Sequence, residues 1–105
     1  MYAILTSKPG QYRTELSAGL SPIEAYDYVF CGAVRARFII AEVGTVQRIT
    51  VVDEAGTPVA NHVPVKFFPS FATPEAARAE LQHLVKFGSM QVSLEPVTLP
   101  RAVAA

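Results

Sequence analysis

The sequence has little reactive chemistry and little charge. There is one cysteine, Cys31, so no disulfide can close within the chain, and the expected setting is the reducing cytoplasm. One thiol also cannot hold an iron–sulfur cluster. The histidines are two, His62 and His83, and no CxxC, HxH or HExxH spacing brings metal ligands together. Neither GxGxxG nor GxxxxGK is present, so the phosphate-cradling loops of nucleotide sites are missing. The expectation is a protein without metal or cofactor. No apolar run approaches the roughly 20 residues of a membrane span, and MYAILT lacks a basic leader.

Charge is scarce as well. Nine basic residues balance nine acidic ones, which argues against a nucleic-acid protein, since these usually carry a basic excess. Charged residues make up 17% of the chain, against about 25% in a typical soluble domain. With 50% hydrophobic residues in only 105, part of the surface must be apolar, and apolar surface points to a partner.

What is present is β-rich. Residues 2–6, YAILT, read as a first strand, closed by Lys8-Pro9-Gly10-Gln11, which has type II turn chemistry. Ser21-Pro22-Ile23-Glu24 has the form of a capping box with proline at the first helical position, and Gly32 stands where a helix would end. This predicts a helix over 22–31, against the alternation of Tyr26, Tyr28 and Phe30, which suits a strand. Residues 34–42 and 45–53 are the strongest strands, and Val43-Gly44 predicts a tight hairpin between them. In that register Phe38 lies opposite Ile49 and Ala36 opposite Val51 on an inner face. The other face then collects Arg35, Arg37 and Ile39 beside Arg48, Thr50 and Val52.

Residues 55–72, interrupted by Pro58, Pro64 and Pro69, read as an irregular insertion with a short edge strand around Val63–Phe67. Thr73-Pro74-Glu75 opens a second helix with Ala77, Leu81, Leu84 and Val85 on one stripe, Lys86 in the last turn and Gly88 beyond it. Met90, Val92 and Leu94 alternate as a last strand, and 99–105 read as a flexible tail behind a single α+β domain over 1–98.

The order β-α-β-β-α-β is the ferredoxin-like arrangement, an antiparallel sheet with both helices on one face and the insertion at 55–72. One sheet face would remain open, and the arginines would lie on it. Cys31 reads as a small buried residue and His83 as a solvated one, which leaves no catalytic pair; the expected protein is non-enzymatic. It is expected to work by association through the mixed arginine and apolar face, as a homo-oligomer or as an accessory subunit of a larger bacterial-style metabolic complex. RNA is disfavoured because the open face would lack stacking aromatics. The alternative is a small-ligand sensor or enzyme with a pocket between that face and the insertion. There Arg35, Arg37 or Arg48, with Thr50, would hold an anion and His62 would serve as acid or base.

Overall fold

The computed structural model describes residues 1–16, 19–86 and 92–97. In chain order these form strands β1 (Tyr2–Ser7), β2 (Tyr12–Thr14), β3 (Leu20–Phe30), β4 (Ala33–Val43), β5 (Arg48–Asp53) and β6 (Ala60–Pro64). A short 3₁₀ turn (Val65–Phe67), strand β7 (Ser70–Phe71), helix α1 (Pro74–Lys86) and strand β8 (Val92–Pro96) follow. The strands make two antiparallel sheets, a larger one ordered β7-β1-β4-β3-β8 and a smaller one ordered β2-β5-β6. No helix among the described residues is long and apolar enough to cross a membrane.

The larger sheet is the middle of three layers. On one face Ile4 and Ile40 meet Ala77 and Leu81 of α1, with Tyr2, Tyr26, Phe38, Phe71 and Leu94 around them. On the other face Ala3, Leu5, Ala25, Ile39, Ala41 and Val43 pack with Leu16, Leu20 and Ile49, which brings the smaller sheet down onto the larger one. Strand β4 is covered on both faces over its second half. Its run Phe38-Ile39-Ile40-Ala41 is apolar at every position for that reason.

The ferredoxin-like sandwich is therefore overturned: the described residues form one long helix and two sheets. Residues 22–30 belong to strand β3 and Cys31 to the turn after it, because the alternation of Tyr26, Tyr28 and Phe30 decides the local structure and not the capping box. Pro22 is tolerated there because, among the described residues, β8 pairs with Tyr26–Phe30 of β3 and no strand pairs at Pro22 on that edge. A bulge between Pro22 and Glu24 sets Glu24 opposite Ile40, on the helix face. The expected β4–β5 hairpin does not form either. β4 pairs with β1 and β3, residues 44–47 carry the chain out of the larger sheet, and β5 pairs with β2 and β6. Gly44 is needed at that exit. Its amide donates to the Gly19 carbonyl at 2.8 Å, and a Cβ on it would stand 3.3 Å from the same oxygen. The expected irregular insertion contributes β6, the 3₁₀ turn and β7.

Helix α1 begins as its sequence predicts, with the Thr73 Oγ1 accepting from the Ala76 amide at 3.1 Å. The turn after β1 takes the type II form that Pro9-Gly10 predicts. Gly10 has φ 78°, and the Gln11 amide donates to the Lys8 carbonyl at 2.9 Å. The expected helix stop at Gly88, the strand residue Met90, the tail 99–105 and the side chains of Val85 and Lys86 lie outside the described residues.

Candidate functional site

The three arginines expected on one face stand on three surfaces. The cause for Arg35 and Arg37 is a second bulge. Tyr28 pairs with Ala36 and Val29 with Val34, so Arg35 is the extra residue. It turns Arg35 to the helix side of the larger sheet, where it lines a groove with Ala36 and Phe38. Arg37 points to the opposite side, into a cleft beneath β2. Arg48 is on the smaller sheet, where its Nη1 donates to the His62 carbonyl at 3.0 Å. Thr50 and His62 are cross-strand partners there, with Thr50 Oγ1 3.2 Å from His62 Nδ1. The structure thus brings Arg48, Thr50 and His62 together and leaves Arg35 and Arg37 apart from them and from each other.

The cleft under β2 has a volume of about 480 Å³ and an apolar floor that includes Leu16, Val34 and Ile39. Its cations are already matched. Arg37 Nε donates to Asp27 Oδ1 at 2.8 Å and Nη2 to Asp27 Oδ2 at 3.3 Å, and this pairing holds the guanidinium above its usual pKa. Arg13 Nη1 lies 3.1 Å from Glu54 Oε2 at the rim, and Glu15 adds another acid to the lining. An anion entering here would meet two neutralised guanidinium groups and a carboxylate.

The groove on the helix side is different. It has a volume of about 430 Å³ and is lined by Lys8, Gln11, Tyr28, Arg35, Ala36, Phe38 and Leu84. Lys8 and Arg35 are exposed, no carboxylate lines the groove, and neither cation has an acidic partner among the described residues. The floor is apolar, with the rings of Tyr28 and Phe38 meeting edge to face at 6.2 Å between centroids. The β1–β4 register explains the meeting of distant residues. Thr6 pairs with Phe38 and Ser7 with Arg37, so the next step puts Lys8 beside Ala36, on the face where Arg35 emerges. Of this lining, sequence reasoning found Arg35 only. Lys8 and Gln11 read as ordinary turn residues, Phe38 and Leu84 as core, and nothing local signals that they converge.

A third polar cluster sits above the helix face. Glu24 accepts from both Nε and Nη2 of Arg78, the Nε bond being 2.9 Å, and from the Tyr26 hydroxyl. The Arg78 bonds hold the Glu24 carboxyl below the usual carboxylate range. Burial, and then the bond to Glu24, push the Tyr26 hydroxyl up. All three groups are satisfied by one another, and the cluster pins α1 to β3.

Among the described residues no three His, Cys, Asp or Glu side chains converge as a metal-binding group. Cys31 is exposed at the β3–β4 turn, while His62 and His83 belong to β6 and α1. Comparison with family models, with characterised proteins and with solved structures finds no match for this chain.

Proposed function

We propose that the protein is a non-enzymatic binding module whose small ligand carries an anionic group held between Lys8 and Arg35. The observation that carries this reading is the pair of cations with no carboxylate partner among the described residues, set over an apolar floor in a groove of about 430 Å³. That volume lies within the roughly 300–1,000 Å³ of small-molecule sites, and few polar groups over an apolar lining is their usual composition. Association through a single sheet face needs the three arginines together on it. Their separation onto three surfaces leaves the ligand reading the better supported of the two. A cytoplasmic location goes with the proposal, supported by the free, exposed thiol of Cys31.

Thermal-shift titration with acetate, benzoate and inorganic phosphate tests it. At ten times the dissociation constant, a ligand specific to the folded state raises the melting temperature by roughly 5–10 °C. The shift is expected to shrink with added salt, since the cations are exposed, and to vanish in Arg35→Gln while surviving in Arg48→Gln. An anion-induced shift indifferent to Arg35→Gln, or no shift with any of the three, would refute the proposal.

A further inference from the structure

We infer, resting on the anion reading above, that the ligand is an organic carboxylate with an apolar body, and not a phosphate. The two ends of the groove differ in chemistry. Lys8 and Arg35 flank the groove at the level of Ala36, while Phe38 lies two residues further along β4 toward the core under the helix. Leu84, in the last turn of α1, also lines the groove and is 45% exposed, so it adds an open apolar surface beside the aromatic pair. Tyr28 and Phe38 meet at 89°, which makes an aromatic corner into which a chain or a flat ring can lie. A molecule that spans the groove therefore meets cations at its head and carbon along its body.

The charge at the head suits one negative unit. Arg35 can clamp a carboxylate with two parallel N–H bonds, and Lys8 adds a point charge beside it. A phosphate dianion finds less. The helix end beside the groove is the C-terminal one, whose partial negative charge opposes a second negative charge. Among the described residues the lining contains no serine, threonine or glycine-rich loop, and the Gln11 amide and Tyr28 hydroxyl are its neutral side-chain donors. A phosphate group would also leave Phe38 and Leu84 uncovered, whereas each methylene buried against them strengthens binding by up to about fourfold.

Titrating the isotopically labelled full chain with acetate, hexanoate, octanoate, octanol and inorganic phosphate, followed by NMR, tests the inference. Affinity is expected to rise from acetate to octanoate by at least tenfold in total, with the largest shifts at Tyr28, Phe38 and Leu84. Octanol and phosphate are expected to bind at least tenfold more weakly than octanoate. Lys8→Gln and Arg35→Gln each weaken octanoate binding by tenfold or more. Leu84→Ser, at a position 45% exposed, weakens octanoate binding and so flattens the chain-length series. If phosphate or acetate binds as tightly as octanoate and Arg35→Gln abolishes that binding, the apolar-body inference falls and the anion reading stands. If octanol matches octanoate, or if neither Lys8→Gln nor Arg35→Gln weakens binding, both fall.

Discussion

Glu24 shows how one side chain serves the fold against its local setting. In the sequence it completes a capping box, yet its carboxylate goes to Arg78, 54 residues away, and to Tyr26. Because its carboxyl is held below the ordinary value of about 4.3, the stability it confers is complete above about pH 5. That stability is lost as the pH falls through the depressed folded value. Glu24→Gln is expected to reduce stability at neutral pH by about 1–2 kcal/mol, the lower part of the range for charge-assisted bonds because Arg78 is partly exposed. Urea unfolding between pH 3 and 7 would check this: the wild-type slope with pH should be steeper than the variant's. A second contrast separates the arginines. Arg37→Ala strands the nearly buried Asp27 and should cost about 1–2 kcal/mol, whereas Arg35→Ala removes an exposed cation and should stay within about 0.5 kcal/mol. Equal losses in chemical denaturation would contradict the separation of the two side chains by the bulge. That bulge was illegible in the sequence, where residues two apart on a strand share a face. Nothing in Val34-Arg35-Ala36 announces the extra residue.

At the scale of elements, the helix was legible and the hairpin was misplaced. Thr73, Pro74 and the stripe through Ala77 and Leu81 are local signals, and they are read without knowing what lies opposite. The β3–β4 turn is ambiguous for a physical reason. Cys31 has φ 52° and Gly32 φ 77°, and Phe30 pairs with Ala33, so the two residues make a hairpin turn of the mirror-image kind. A glycine with positive φ also ends helices, so Gly32 fits either structure. Asparagine is the favoured partner of glycine in such turns. Cys31→Asn should therefore raise stability by about 0.5–1 kcal/mol, and Cys31→Val, β-branched in a left-handed position, should lower it by about 1–3 kcal/mol. Melting temperatures of the two variants moving in the same direction would contradict the turn geometry. The missed clue for β4 was Phe38-Ile39-Ile40-Ala41, whose unbroken apolarity belongs to a strand covered on both faces.

For the whole molecule, the decisive fact is that β4 contributes to both cores, Ile40 to one and Ile39 and Ala41 to the other. β1 does the same with Ile4 on one side and Ala3 and Leu5 on the other, so the smaller sheet and the helix are joined through the larger sheet and should melt together. Ile49→Ala, a fully buried change in the smaller sheet, is expected to cost about 2–5 kcal/mol and to lower the signals of helix and sheet in one transition. Two resolved transitions by circular dichroism would contradict this coupling. Which strand meets which was not legible, because the pairings of β1 with β4 and of β2 with β5 join residues some 30–40 positions apart and leave no short-range mark. The candidate groove inherits the same opacity, since Lys8 and Arg35 meet only through the first of those pairings. That pairing also has a meaning in time. A ribosome delivers Ala3-Ile4-Leu5 long before β4 exists to receive it, and β2 waits longer still for β5, while β3 and β4 need only each other. In a nascent chain the β3–β4 hairpin can form before β1 or β2 meets its partner strand.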